Sequence, residues 1–297
     1  ELVALDLGWS TTTTTGDDRL FGTEDADSIV ADAGNDVLDG RGGNDTLNGD
    51  AGNDTLFGGE GDDTLNGGAD DDTFEDNLGN DLINGGTGDD TWRMGNGEDT
   101  FDGGDGTDTV LVDLTSETPQ QYVIESNLTT GDSGAQGFAN GRDTLLNVEN
   151  YELRGDFDID LTGSSVANTL ITDEGDDTIL GLGGNDVIDG GAGDDSIDGG
   201  AGDDTLTDGR GFDTVNGGSG TDLFYRDLSA DFAAQSWLPV VDLGLGRFYD
   251  PADAPSLFDT LLDIENVQLV GDFDVSLTGD GNGNLLQSDL GDDTLVG

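Results

Sequence analysis

The sequence predicts an all-β protein in which short strands stack into a solenoid, and three observations support this fold class. A nine-residue pattern, clearest at residues 58–66, recurs in one register along most of the chain. Its eighth position holds a large apolar residue in every repeat, from Leu20 to Val110 in the longest array. Its first, second and fourth positions favour glycine, which supplies turns with positive φ angles and keeps side chains away from inward-pointing carbonyl groups.

The register of this repeat divides the chain into six segments. We expect an N-terminal strand or cap at 1–12, array one at 13–111, a connecting segment at 112–162, array two at 163–225, a second connecting segment at 226–278, and the start of array three at 279–297. The apolar run from Leu2 to Leu7 could cover the open end of array one, because the terminal repeats of a solenoid need caps.

Positions seven to nine of each repeat predict a short strand. Alternation places position eight on one face and positions seven and nine on the other, and position seven is mostly threonine, a good strand former. One repeat cannot bury its own apolar residue, whereas stacked repeats bury a continuous row. Two repeats per coil would therefore form two parallel sheets that face each other, with the turns along both edges.

The turns carry the candidate chemistry, because position six is an aspartate in nearly every repeat. Carboxylates combined with inward carbonyl oxygens suit Ca²⁺, which takes about 6–8 oxygen ligands in flexible geometry, better than Mg²⁺. The candidate aspartate ligands are Asp27, Asp36, Asp45, Asp54, Asp63, Asp72, Asp81, Asp90, Asp99, Asp108, Asp177, Asp186, Asp195, Asp204, Asp213, Asp222 and Asp293. The candidate glycines are Gly43, Gly52, Gly58, Gly59, Gly61, Gly85, Gly86, Gly88, Gly184, Gly190, Gly191, Gly193, Gly199, Gly200 and Gly202.

Some turns depart from the pattern, and we expect these departures to weaken metal binding. Asp25 and Asp70 replace the position-four glycine, and Asp208 replaces a position-one glycine. Residues 76–77 and 94–95 alter positions one and two. Aspartate and asparagine tolerate left-handed φ angles, so the turns themselves can survive.

The charge of the chain indicates that it is incomplete without metal. The formal net charge is −59, from 67 acidic residues against eight basic ones. Such a charge opposes compaction and repels phosphates, so nucleic acid is not an expected partner. The absence of cysteine and a need for abundant calcium fit a secreted or cell-surface protein. The sequence shows neither a signal peptide nor an apolar run long enough for a transmembrane segment.

The nonapeptide Gly-Gly-x-Gly-x-Asp-x-U-x, with U apolar, resembles the calcium-binding repeat of RTX (repeats-in-toxin) proteins, also called the hemolysin-type repeat. This resemblance implies a right-handed parallel β-roll with each ion between turns two repeats apart, or about fourteen ions in arrays one and two. The near-copies at 143–163 and 259–279 are similar to segments that connect RTX arrays in bacterial surface proteins. On that resemblance we expect two longer coils that continue the stack.

Catalysis by this chain is not expected. Without histidine, cysteine or lysine, the sequence cannot form a zinc-protease helix, a Ser-His-Asp triad or a thiol nucleophile. The best remaining carboxylates outside the register are Glu149 and Glu265 with Asp156 and Asp272, and their duplication indicates a structural role. RTX enzymes carry their catalytic parts outside the repeats.

The function predicted from these observations is a calcium-dependent structural or spacer module of a secreted or cell-surface bacterial protein, folding when it meets calcium outside the cell. Two alternatives stay open: a polysaccharide- or other ligand-binding module of an RTX adhesin, and the repeat region of a secreted enzyme whose catalytic domain is absent. The apolar N-terminal run and the uncapped repeat after Leu295 also allow end-to-end assembly into oligomers or filaments.

Overall fold

A computed structural model describes residues 2–4, 15–115, 124–135, 142–228, 239–249, 259–271, 274–289 and 291–297. Every regular element in these ranges is a β-strand, and the side chains of residues 2–4 and 134–135 are outside the description. No helix in these ranges is long and apolar enough to cross a membrane. The strands fall into two compact units, one comprising described residues up to 154 and the other those from 155 onward.

Sixteen strands lie in the described part of the first unit. In chain order they are β1 Leu2–Ala4, β2 Arg19–Phe21, β3 Ser28–Val30, β4 Val37–Gly42, β5 Thr46–Ala51, β6 Thr55–Glu60, β7 Thr64–Ala69, β8 Thr73–Leu78, β9 Leu82–Thr87, β10 Thr91–Arg93, β11 Thr100–Asp105, β12 Thr109–Asp113, β13 Ile124–Asn127, β14 Asp132–Ala135, β15 Asp143–Leu146 and β16 Asn150–Arg154. Strands β1, β2, β4, β6, β8, β10, β12 and β16 form sheet one in that order, whereas β3, β5, β7, β9, β11 and β15 follow one another in sheet two.

The second unit repeats this plan over fifteen strands. They are β17 Ile159–Thr162, β18 Thr169–Ile171, β19 Thr178–Leu180, β20 Val187–Asp189, β21 Ser196–Ala201, β22 Thr205–Thr207, β23 Thr214–Ser219, β24 Leu223–Asp227, β25 Val240–Asp242, β26 Arg247–Tyr249, β27 Asp259–Leu262, β28 Asn266–Val270, β29 Ser276–Thr278, β30 Leu285–Gln287 and β31 Thr294–Val296. Successive array strands again alternate between two sheets.

The register confirms two repeats per coil. Strand β4 pairs in parallel with β6 so that Leu38 lies beside Leu56, and β5 pairs with β7 so that Leu47 lies beside Leu65. Each partner is two repeats away in sequence. The predicted parallel β-roll is therefore the observed fold. Several strands run six residues, through position three of the next repeat, instead of the expected three, because the backbone of positions one to three continues the pairing.

The position-eight residues of arrays one and two form the core, as predicted. All of them are at most 1% exposed: Leu20, Ile29, Leu38, Leu47, Leu56, Leu65, Phe74, Ile83, Trp92, Phe101, Val110, Leu170, Ile179, Ile188, Ile197, Leu206, Val215 and Phe224. Trp92 packs on Phe101 with 5.5 Å between ring centroids. In array three the prediction fails, since Leu286 is half-buried and Leu295 is 49% exposed on strands that lie last in their sheets.

The connecting segments continue the stack within their own units, and each also contains an antiparallel hairpin that the sequence did not predict. In the first, β15 pairs in parallel with β11 and β16 with β12, while β13 and β14 form a hairpin beside β15. In the second, β27 pairs with β23 and β28 with β24, while β25 and β26 form the hairpin. The hairpin residues lie outside the nine-residue register, so no periodicity marked them.

The N-terminal strand β1 pairs in parallel with β2, with Leu2 beside Arg19. This pairing covers the first edge of sheet one, where the sequence predicted a cap. Residues 1 and 5–12 of the expected cap lie outside the described residues, and the six predicted segment boundaries stay a prediction.

Candidate calcium sites

The turn that precedes each strand holds the candidate ligands, and its shape follows from glycine at positions two and four. In the repeat at residues 58–66, Gly59 and Gly61 have φ angles of 111° and 133°. Where other residues occupy these positions, Asp70 and Asn77 adopt φ angles of 76° and 72°. The turns with these departures therefore survive, as expected from the tolerance of aspartate and asparagine for left-handed backbone.

The position-six aspartates form a ladder along each edge of the roll. The Oδ1 atom of Asp54 accepts a hydrogen bond from the N–H of Asp36 at 2.7 Å, and the N–H of Asp54 donates to Oδ1 of Asp72 at 2.8 Å. The other edge repeats this geometry, since the N–H of Asp45 donates to Oδ1 of Asp63 at 2.8 Å. Each aspartate thus fastens its own turn to the turn one coil earlier.

The second oxygen of these carboxylates is buried without a hydrogen-bond partner. Among the described residues, this holds at position six for Oδ2 of Asp36, Asp45, Asp54, Asp63, Asp72, Asp81, Asp90, Asp99, Asp108, Asp177, Asp186, Asp195, Asp204, Asp213 and Asp222. A buried anionic oxygen without a donor is strongly unfavourable. Its repetition along both edges indicates that a cation belongs there.

The position-one glycines form the floor of the space into which these oxygens point. A Cβ atom added to Gly58 would lie 2.6 Å from Oδ2 of Asp63 and 3.0 Å from the carbonyl oxygen of Asp76, one coil further on. A Cβ atom on Gly199 would lie 2.5 Å from Oδ2 of Asp204 and 2.9 Å from a carbonyl oxygen of the next coil. These glycines do not need positive φ angles, contrary to the expectation for position one, and are required by space instead.

The candidate glycines therefore have different roles according to their position. Position-one glycines, which border the carboxylate oxygens, are Gly58, Gly85, Gly190 and Gly199. Position-two glycines with positive φ are Gly59, Gly86, Gly191 and Gly200. Position-four glycines with positive φ are Gly43, Gly52, Gly61, Gly88, Gly184, Gly193 and Gly202.

Burial raises the pKa of these carboxyl groups. The pKa of Asp54 is raised from 3.8 to about 6 and that of Asp72 to about 7, in each case chiefly by burial and further by neighbouring aspartates. Backbone hydrogen bonds to Oδ1 oppose the shift. The anionic form is therefore costly in the folded chain until a cation lies beside Oδ2. Carboxylate and carbonyl oxygens around one space suit Ca²⁺, so the residues present fit the ion that the repeat implies.

Two candidate aspartates differ from the others, because protein groups already occupy their second oxygen. Oδ2 of Asp27 accepts a hydrogen bond from the N–H of Thr23 at 2.6 Å. Oδ2 of Asp293 accepts one from the hydroxyl of Ser288 at 2.7 Å. Neither repeat carries the Gly-Gly pair at positions one and two. The geometry supports these two as metal ligands less than it supports the other fifteen.

Four carboxylates that the nine-residue register does not include take the place of a position-six aspartate where the connecting segments continue the ladders. The N–H of Asp99 donates to Asp143 at 2.9 Å and that of Asp108 to Glu149 at 2.9 Å. In the second unit, the partners are Asp213 with Asp259 at 3.2 Å and Asp222 with Glu265 at 2.9 Å. The sequence could have indicated these four carboxylates, because they occupy equivalent positions in the two copied segments.

These contacts give Glu149 and Glu265 a structural place in the ladders, as their duplication indicated. Asp156, the carboxylate considered with Glu149, is exposed and lies in a bridge with Glu174. Asp272 lies outside the described residues.

Two further aspartates were expected to weaken their sites, and the structure instead places them among the buried carboxylates. Oxygens of Asp76, Asp81 and Asp99 all lie within 4.8 Å of one another, and the same holds for Asp208, Asp213 and Asp259. Asp76 and Asp208 are both 0% exposed. Position one lies two residues after the buried position eight, so strand alternation continues inward to it. That alternation was the signal by which the sequence could have revealed both clusters.

Stacked coils with buried carboxylates in glycine turns define a calcium-binding β-roll. The RTX calcium-binding nonapeptide repeat family matches residues 12–47, 39–74, 66–92, 75–110, 162–197 and 198–233. These matches cover more than half of the chain, and the chain belongs to this family. No curated protein matches it significantly. The cofactor of the repeats is Ca²⁺, and the family is typically found in secreted or surface proteins and is typically non-catalytic.

Proposed function

We propose that this chain is a calcium-dependent structural module that folds outside the cell, where calcium is plentiful. The observation that carries the proposal is the row of fifteen position-six aspartates whose Oδ2 atoms are buried without partners. In a chain with a net charge of −59, closing these turns without cations concentrates negative charge along both edges. Calcium binding therefore supplies the free energy that closes the coils.

The ions in this proposal lie between successive coils. Oδ2 of a position-six aspartate and the carbonyl oxygens of the glycine turns that border it would hold each ion. Asp63 illustrates the arrangement, because a Cβ atom on Gly58 would lie close to both its Oδ2 and the carbonyl oxygen of Asp76 in the following coil. Its Oδ1 remains bonded to the N–H of Asp45 in the preceding coil. One carboxylate would thus join an ion to two neighbouring turns.

Circular dichroism and small-angle X-ray scattering of one sample, first in excess chelator and then with added Ca²⁺, test this function. We expect an expanded, disordered chain in chelator and a cooperative gain of β-structure with calcium. Mg²⁺ at equal concentration is the matched control, and it should restore less structure because it holds its own water and demands a tighter octahedron. A compact, β-rich chain in chelator at a pH well above 7, where these carboxyl groups are ionised, would refute the proposal.

A second proposal, self-association through strand edges, is favoured by the last strands of the second unit. Leu285, Leu295 and Val296 on β30 and β31 are each about half-exposed, at 54%, 49% and 50%. Exposed apolar strands with unpaired edges are templates for further strands. Sedimentation of the calcium-loaded chain against a Leu295→Asp variant tests this, and equal monomeric behaviour of both at high concentration would contradict it.

A further inference from the structure

Asp76 occupies a position that seven of the other ten repeats of array one give to glycine. It lies on β8, two residues after the buried Phe74, and its side chain is 0% exposed. Its Oδ1 accepts a hydrogen bond from the N–H of Asn77 at 3.0 Å, and its Oδ2 has no hydrogen-bond partner. An ordinary turn would have only the position-six carboxylates at this point.

Three carboxylates meet at this turn. Asp81 is the position-six aspartate of the same repeat and Asp99 is that of the next coil, and they are 3% and 1% exposed. The Oδ2 atoms of both are buried without partners, like that of Asp76. The oxygens of the three groups lie within 4.8 Å of one another. An ion with ligands at 2.3–2.6 Å spans about 4.6–5.2 Å between opposite oxygens, so one Ca²⁺ can contact all three.

The second unit has the same aspartate at position one, and there a basic side chain of the protein balances its charge. Asp208 is also a buried position-one aspartate, and it clusters with Asp213 and Asp259. Arg226, one coil after Asp208, donates from Nη1 to Oδ1 of Asp208 at 2.5 Å and is itself 3% exposed. The aromatic ring of Phe248 lies 5.7 Å from the guanidinium carbon. A fixed cation thus lies against this position-one carboxylate.

The residue one coil after Asp76 is Met94, which offers no charge. Strand β8 pairs Phe74 with Trp92 and Glu75 with Arg93, so the same two-repeat offset places Met94 one coil after Asp76. The same offset pairs Leu206 with Phe224 and places Arg226 one coil after Asp208, with which it forms an ion pair. The two clusters are therefore equivalent in register and differ in whether the next coil carries a cation. Arg226 supplies the positive charge at the Asp208 cluster, whereas at the Asp76 cluster a cation from solution supplies it.

We propose that Asp76, Asp81 and Asp99 form a three-carboxylate cation site, which differs from the glycine-turn sites by the added anionic ligand Asp76, holds its Ca²⁺ more tightly than they do and prefers trivalent lanthanides. The preference follows from charge, because three anionic ligands balance a trivalent ion and leave a divalent one with an excess negative charge. This inference rests on the proposed calcium function. It adds Asp76 as a ligand for which the repeat pattern has no place.

Terbium(III) luminescence tests the proposal on the full chain held folded in Ca²⁺. Trp92 is the diagonal neighbour of Asp76 across β8 and β10, so its excitation should sensitise the first equivalent of Tb³⁺. Asp76→Gly, which restores the consensus, should weaken binding of that equivalent by about tenfold or more, since loss of even an indirect partner of a metal costs about 10–100-fold. Trp92→Phe should lose the sensitised emission, and direct excitation of Tb³⁺ then follows binding in that variant without the tryptophan.

A reciprocal exchange removes the concern that one variant merely unfolds. Met94→Arg should place a guanidinium beside Asp76 and displace the tight ion, whereas Arg226→Met should create a new tight site at Asp208. Native mass spectrometry at limiting chelator should count one fewer retained Ca²⁺ in the first variant and one more in the second. Unchanged tight binding in both Asp76→Gly and Met94→Arg overturns the three-carboxylate site. A parent chain that binds neither ion would instead overturn the proposed function.

Discussion

Replacing Asp54 with asparagine should stabilise the chain without calcium and destabilise it with calcium. Asp54 is 2% exposed, and its Oδ1 accepts the N–H of Asp36 at 2.7 Å while its Oδ2 has no partner. Asparagine keeps the size of the side chain and the Oδ1 acceptor. It removes the negative charge, which destabilises the turn without calcium and binds the ion when calcium is present.

Both effects can be estimated. A rise in the pKa of Asp54 from 3.8 to about 6 corresponds to at most about 3 kcal/mol at neutral pH. Solvent and salt at the edge of the roll reduce this gain to about 1–2 kcal/mol. In calcium, the variant lacks one anionic ligand, and the calcium concentration at the folding midpoint should rise by about tenfold or more. Loss of even an indirect metal partner costs about 10–100-fold in affinity, or about 1.4–2.7 kcal/mol, and Asp54 is a direct ligand in this proposal, so the lost coordination should outweigh the relief of charge.

Calcium titrations followed by circular dichroism measure the second effect, and the scattering radius in chelator measures the first. Asp62→Asn is the matched control, because Asp62 is an exposed position-five residue that accepts the N–H of Asn80 at 3.0 Å. Asparagine occurs naturally at this position in other coils, so the control removes the same charge without touching a ligand. The reasoning is refuted if Asp54→Asn folds at lower calcium than the parent, or if both variants shift alike.

Three further predictions follow from the core, the turn and the titrating groups. In calcium, Leu65→Ala should lower the free energy of unfolding by about 2–4 kcal/mol, because Leu65 is fully buried. Leu78→Ala, at a half-exposed position, should lower it by under about 0.5 kcal/mol. Denaturant unfolding measures both, and equal losses would contradict the buried column. Gly58→Ala should raise the calcium midpoint, whereas Gly283→Ala, whose Cβ meets nothing within 4 Å, should not; a similar midpoint for both would argue against the crowded turn. Because the folded-state pKa values of Asp54 and Asp72 are raised to about 6 and about 7, the stability of the calcium-free fold should be fully present below 3.8 and lost as the pH rises through those values. Scattering in chelator should then show compaction on acidification, while calcium titrations should need more calcium at lower pH; a radius independent of pH would contradict this.

The repeat made the core and the aspartate ladders predictable from sequence. A fixed period with two repeats per coil determines which residues become neighbours, so Leu47 beside Leu65 follows from counting alone. The burial of Asp54 and its bond to the preceding coil follow from the same period. These features depend only on the translation that relates one coil to the next.

The parts that the sequence did not reveal depend on contacts between unlike residues. The hairpin of β25 and β26 lies outside the period, and Phe248 within it approaches the guanidinium of Arg226. The pairing of Arg226 with Asp208 required both the register and the inward direction of position one. Asp76 was misjudged for the same reason, since position one was taken to matter for turn shape alone, whereas its side chain points into the roll.

Because strands alternate between two sheets, the number of repeats in the first unit decides on which sheet each end lies. Strand β1 extends sheet one, and the hairpin of β13 and β14 joins sheet two through β15. Losing or gaining a single repeat between them would move every later strand to the other sheet. Strand β1 and the hairpin would then lie on the same sheet. Losing or gaining eighteen residues leaves both where they are. Only insertions or deletions of an even number of repeats therefore keep the N-terminal strand and the hairpin on opposite sheets. The structural unit that can be added or lost is the two-repeat coil, although the sequence repeats every nine residues.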